Sequence, residues 1–142
     1  MAKTKKSAPA KYADKSAGQP ELLPVFDMIK KLVSVYVRGN YVIKADKPSH
    51  YELYYDGPVE MSEKHYPEVS FASVLIQKGY VGFYFFPVCL NDLLKEILAP
   101  ELVQMLKGET CFHIKKMDPV IQEQLKETLR IGYDYYQALG WK

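Results

Sequence analysis

Residues able to do chemistry are few in this chain, and they are scattered. His50, His65 and His113 fall in different predicted elements, and the two cysteines, Cys89 and Cys111, form no CxxC. Only Cys111 and His113 have a spacing that suits a metal, since alternate residues of a strand face the same way. Two ligands do not make a site, and Cys89 would have to be brought to them by the fold. A packed thiol and a surface imidazole is the plainer reading. Glu52, Asp56, Glu60 and Glu63 lie in or beside polar stretches and look solvated. They lack the contrasting environments that separate an acid from a base. No Ser/His/Asp or Cys/His arrangement carries a local signature. The expectation is therefore a non-catalytic protein with no metal centre and no cofactor.

The tyrosines are more suggestive. Tyr51, Tyr54, Tyr55, Tyr80 and Tyr84 fall on predicted strands, and Tyr133, Tyr135 and Tyr136 fall on the last predicted helix. A buried tyrosine needs a partner for its hydroxyl, so such residues collect at pockets and interfaces. They also sit at core margins with the hydroxyl in water. Tyr51, Tyr55, Tyr80, Tyr84, Tyr133 and Tyr136 are the candidate ligand-binding set. The occupant would be a small ligand, a protein partner or a second copy of the chain in a homodimer.

The elements that must position these residues centre on 79–87, GYVGFYFFP, the densest run of aromatic and β-branched residues. Val81, Phe83 and Phe85 alternate with Tyr80, Tyr84 and Phe86. Both faces are thus apolar, which predicts a central strand covered on both sides. Residues 69–76 supply its partner, with Gln77-Lys78-Gly79 as a three-residue hairpin loop. Strands are also expected at 41–45, 51–55 and 109–115. Asp56-Gly57-Pro58 should close the second of these, with 60–67 as loop. A first helix over 20–38 places Leu22, Val25, Phe26, Ile29, Leu32, Val33 and Tyr36 on one face. Its carboxylates are only Glu21 and Asp27, beside Lys30 and Lys31, a poor field for gathering a cation. Short helices are expected at 92–98 and 101–107. Asp118 as N-cap and Pro119 at the first helical position open the last helix. Within it Gly132 costs about 1 kcal/mol relative to Ala, a cost that close packing against a neighbour would justify. Trp141 should fold back onto the core. Helix, strands, short helices, strand, helix reads as α+β: an antiparallel sheet of about five strands with the N- and C-terminal helices on one side.

At 142 residues the chain has the length of one domain, and a domain of this size buries roughly 68% of its unfolded surface. Residues 1–19 carry five lysines and one aspartate, +4 of the chain's net +2, which leaves the rest at −2. This divides the chain into a disordered, Lys-rich tail over 1–19 and a single domain over 20–142. The tail is a solubilising segment or, less simply, a nucleic-acid tether. A nearly neutral domain makes nucleic acid an unlikely partner. No apolar run approaches the roughly 18 residues of a membrane span, and no secretory leader is evident, so a membrane role is not expected. Two cysteines without framework spacing suit reduced thiols and a cytoplasmic location.

Three stretches resemble a known family. They are 79–87 itself, then Leu106-Lys107-Gly108 leading into Thr110-Cys111-Phe112-His113-Ile114-Lys115, and the closing Gly132-Tyr133-Asp134-Tyr135-Tyr136 with Gly140-Trp141. Together they are similar to the YdhG-like family of small bacterial domains of unknown function, and the likeness extends back to Leu22. The resemblance implies an α+β sandwich similar to that of frataxin. Some members are described as frataxin-like iron chaperones, which makes intracellular iron binding the alternative function.

Overall fold

In the computed structural model, which describes residues 13–142, the aromatic run becomes strand β4 (Tyr80–Phe85). It pairs antiparallel with β3 (Lys64–Gln77). Gln77 pairs with Tyr80, so the connecting turn is two residues, Lys78 and Gly79, one fewer than expected. Gly79 has φ +90°, a region that glycine enters without a Cβ penalty. On the β3 side follow β2 (His50–Met61) and β1 (Tyr41–Lys47). On the β4 side come β6 (Cys111–Ile114) and β5 (Leu106–Lys107). The order is β1-β2-β3-β4-β6-β5 and every pairing is antiparallel. The sheet thus has six strands rather than five. Leu106 and Lys107, expected to end a helix, pair instead with Phe112 and Cys111.

The largest departure from the sequence reading lies between residues 56 and 68. Both β2 and β3 run through the stretch expected to be a closing turn and a loop. A bulge between Asp56 and Val59 absorbs Gly57 and Pro58, a place where a missing N–H is tolerated in a sheet. Gly57 also makes room for a ring: a Cβ there would stand 2.8 Å from Tyr55 Cζ. The hairpin closes at Ser62 and Glu63, with φ of 52° and 64°. Two successive left-handed residues are what a type I′ turn needs, but neither is the Gly or Asn that usually announces one.

A 3-10 turn (Pro20–Leu22) leads into helix α1 (Leu23–Ser34), which buries Val25, Phe26, Ile29, Leu32 and Val33. It stops four residues before the expected end at 38. The run Val33-Ser34-Val35-Tyr36-Val37 is rich in β-branched residues with restricted χ1, and Ser34 Oγ donates back to the Lys31 carbonyl at 2.8 Å. After β4 come three single-turn helices, α2 (Pro87–Leu90), α3 (Leu94–Ile97) and α4 (Pro100–Val103), in place of the two expected. The last helix, α5 (Pro119–Ala138), starts where Asp118 and Pro119 put it. Asp118 Oδ1 accepts from Ile121 N–H at 2.8 Å.

Helices α1 and α5 pack against each other, and α1 lies over β2, β3 and β4. Gly132 of α5 is the point of closest approach, because a Cβ there would collide with the Phe85 ring and stand 3.0 Å from Pro87 Cγ. Around Phe71 gather Tyr36, Tyr41, Phe85, Tyr133 and Tyr136, with ring centroids 5.4–6.3 Å apart. Trp141 does return to this core, edge-on to Tyr136 at 4.8 Å and parallel to Tyr55 at 6.5 Å.

The tail assigned to 1–19 falls in two parts. Residues 1–12 lie outside the described residues. Residues 13–19 run to the β3–β4 hairpin. There Gln19 accepts from Gly79 N–H (2.7 Å) and donates to the Gln77 carbonyl (3.0 Å), while Lys15 Nζ donates to Gln77 Oε1 (2.8 Å).

Candidate functional site

Strand alternation divides the side chains of the sheet into two sets. The set facing the helices includes Tyr51, Leu53, Tyr55, Val74, Val81, Phe83, Phe85, Phe112 and Ile114, all buried in one continuous core. The other face carries no described helix. Its residues line up across the strands in two rows. One runs His50, Leu75, Gly82, His113; the next runs Glu52, Ser73, Tyr84, Cys111. Tyr80 stands beyond the first row beside Gln77, and Lys107 extends the second beside Cys111. Helices thus cover β4 on one side; on the other Gly82 is still buried, while Tyr80 and Tyr84 are half-buried. Its other set consists of Tyr80, Gly82 and Tyr84, while Phe86 has left the strand.

At the β4–β6 end of this face the Tyr80 and His113 rings stack, with centroids 3.7 Å apart and planes 8° from parallel. Both residues are half-buried. The Tyr84 ring lies across Gly82: a Cβ at that glycine would be 2.7 Å from Tyr84 Cε1 and 3.2 Å from Cys111 Sγ. Gln77 Nε2 donates to Tyr84 Oη at 3.0 Å. Burial, with the Cys111 sulfur next, pushes the Tyr84 phenol up to about 12, so it is a neutral donor at physiological pH. Burial likewise raises the Cys111 and Cys89 thiols. A protonated thiol is a poor nucleophile and a poor metal ligand. In the central rows His50 Nε2 meets Glu52 Oε2 at 2.6 Å, both side chains largely buried.

The charge around the stack is positive. Burial first, then Lys107 and Lys115, holds the His113 imidazole below its usual range. Beside His113, between the end of β6, α4 and the first turn of α5, is a hollow of about 600 Å³. Lys115 and Lys116 line it, with Met105, Val120 and Ile121 as apolar surface. Asp118 and Glu101 also border it. The first caps α5, and the second accepts from Gln124 Nε2 at 3.3 Å. Among the described residues, Lys78, Lys107, Lys115 and Lys116 take part in no salt bridge.

The structure does not gather the six candidate tyrosines. Tyr80 and Tyr84 lie on the helix-free face, separated by Gly82. Tyr51, Tyr55 and Tyr136 are in the core on the opposite side. Tyr133, half-buried, belongs to the aromatic group around Phe71, where the Arg38 guanidinium stands 5.1 Å from its centroid and 5.1 Å from that of Tyr36. Two of the core hydroxyls are satisfied by carbonyls. Tyr136 donates to the Ser70 carbonyl (2.6 Å), and Tyr41 donates to that of Trp141 (2.5 Å). Cys111 and His113 do share a face, but among the described residues no three His, Cys, Asp or Glu are placed to hold a metal ion. None of the described helices is long and apolar enough to cross a membrane.

Some features of this face are not evident in the sequence. Glu52, expected to be solvated, is largely buried against His50; their i, i+2 spacing puts both on one face of a strand, but the strand was expected to begin at 51. Lys107, Lys115 and Lys116 gave no local signal, because β5 and the start of α5 bring them together only through the fold. Compared with models of protein families, with curated proteins and with solved structures, the chain matches none.

Proposed function

We propose that this protein is a non-catalytic, cytoplasmic binding domain of the YdhG-like kind, which receives a small ligand on the helix-free face of its sheet. One observation carries the reading: aromatic rings with accessible surface occur together at the β4–β6 end of that face, as the Tyr80–His113 stack and the Tyr84 ring laid over Gly82. Flat, preorganised rings favour a planar ligand because they lose little entropy on binding. On the helix side the aromatic residues are occupied with one another. The YdhG-like assignment draws on the sequence resemblance, and two residues in it have clear structural work. Gly79 closes the central hairpin, and Gly132 admits the Phe85 ring.

The test is a nuclear magnetic resonance screen of neutral aromatic fragments against the full chain. Hits should perturb Tyr80, Tyr84 and His113 and weaken in Tyr80→Ala. Perturbations concentrated instead along the groove of about 300 Å³ between Leu32 of α1, Tyr36 just beyond it and Arg130 of α5 would contradict the proposal. The iron-chaperone reading needs gathered, unneutralised carboxylates. Here Asp46 is tied to Lys30 at 2.7 Å and Glu68 to Lys44 at 2.8 Å. We expect iron affinity no tighter than about 100 μM, roughly −5.5 kcal/mol. Stoichiometric micromolar binding would favour the chaperone instead.

A further inference from the structure

We infer that the hollow beside His113 binds a phosphorylated aromatic compound of mononucleotide size, with the phosphate held by Lys115 and Lys116 and the ring set against the Tyr80–His113 stack. The inference rests on the reading of the helix-free face as the binding surface, which the hollow adjoins at His113, and adds the chemistry of the ligand. Three observations converge on it.

Charge is the first. Lys115 and Lys116 line the hollow and form no described salt bridge, and Lys107 stands close by in the neighbouring strand beside Cys111. These three lysines face two bordering carboxylates, Asp118 and Glu101, one oxygen of each accepting, from Ile121 N–H and Gln124 respectively. The excess of cations is on the His113 side of the hollow, and lysine is an effective point charge for phosphate. Shape is the second. His113 both lines the hollow and stacks on Tyr80, so an aromatic surface adjoins the cations. Met105, Val120 and Ile121 add apolar lining, and Val120 is 62% exposed. Size is the third. About 600 Å³ lies within the range of small-ligand sites, roughly 300–1,000 Å³.

A free nucleotide fits better than a nucleic-acid strand. Stacking platforms on sheets do bind single strands, but only where a basic groove continues along the backbone. This face continues through Tyr84 and Ser73 to Glu52, whose carboxylate would repel further phosphates. Burial and the nearby Lys107 and Lys115 disfavour the His113 imidazolium. A bound phosphate would oppose those lysines and raise the proton affinity.

The experiment titrates adenosine 5′-monophosphate, adenosine, inorganic phosphate and an oligothymidylate separately into the full chain, followed by amide resonances. The monophosphate should move the signals of Tyr80, His113, Lys115 and Lys116, and adenosine should bind about tenfold or more weakly for want of its charged contacts. The exposed double substitution Lys115→Glu with Lys116→Glu should lower the affinity by about tenfold or more with an unchanged melting temperature. The His113 titration should move upward in the saturated protein. Equal binding of adenosine and its monophosphate would overturn the assignment, as would oligothymidylate binding without any response to the monophosphate. If the monophosphate fails while neutral aromatic fragments still perturb Tyr80 and Tyr84, the anion assignment falls and the binding face stands. If neither perturbs them, both fall.

Discussion

On strand β4, Val81, Phe83 and Phe85 expose no surface, while Tyr80 and Tyr84, alternating with them, keep part of their rings accessible. The same backbone thus serves two faces of different chemistry. Toward the helices the side chains are mostly aliphatic or aromatic, and the hydroxyls of Tyr136 and Tyr41 end on the carbonyls of Ser70 and Trp141. Away from the helices the neighbours are mostly polar or small, namely Ser73, Gln77, Gly82, Cys111 and His113, with Leu75 as the large apolar exception. The face packed by helices is filled with apolar side chains, whereas the helix-free face mixes buried polar and small groups with the half-buried rings of Tyr80, Tyr84 and His113. The proposed binding role rests on those rings.

If this division is right, substitutions on the two faces should differ in size. The largest losses should come from Phe83→Ala or Phe85→Ala, each costing about 3–5 kcal/mol of unfolding free energy by denaturant titration, as full burial of both rings requires. A loss below about 1 kcal/mol at both positions would mean that the helix side is not a packed core. Next is Gly132→Ala. Helix propensity alone favours the alanine by about 1 kcal/mol, but its methyl would collide with the Phe85 ring. Overpacking costs about 1–3 kcal/mol, so net destabilisation is expected, and a gain in stability would show that α5 does not approach β4 this closely.

Smaller is the pH effect at His113. Its proton affinity is lowered in the folded chain, so the unfolded state binds more protons between the folded and unfolded pKa values. The stability from a neutral His113 is present above the ordinary imidazole pKa and is lost as pH falls through the folded value. The groups around it are Lys107 of β5, Cys111 of β6, Lys115 just after that strand, Tyr80 of β4, and Lys116, Glu101 and Asp118 at the hollow. His113→Gln should flatten the melting temperature over that range. An unchanged profile would remove His113 from the account.

What could be read from the sequence was what is decided locally. Asp118 and Pro119 start a helix by their own chemistry, Gly79 turns a hairpin because it lacks a Cβ, and a mid-helix Gly132 signals a close neighbour. Residues 56–68 depart from the expected turn and loop because the decisive features are not local. Ser62 and Glu63 adopt positive φ to keep β2 and β3 in register, and Pro58 is tolerated only because a bulge receives it. The alternation of Tyr51, Leu53 and Tyr55 was legible, but which face the helices would cover was not. The tyrosines therefore read as one set although the fold separates them. The lysines around His113 became visible only when β5, β6 and α5 were placed side by side.

The most direct test of the two-faced account is a pair of measurements on one variant, Tyr80→Ala: its unfolding free energy and its affinity for adenosine 5′-monophosphate. The account predicts a stability within about 1 kcal/mol of the parent chain together with an affinity lowered by about tenfold or more. A stability loss as large as that of Phe83→Ala, with unaltered affinity, would place Tyr80 in the core rather than at a binding surface and would contradict it.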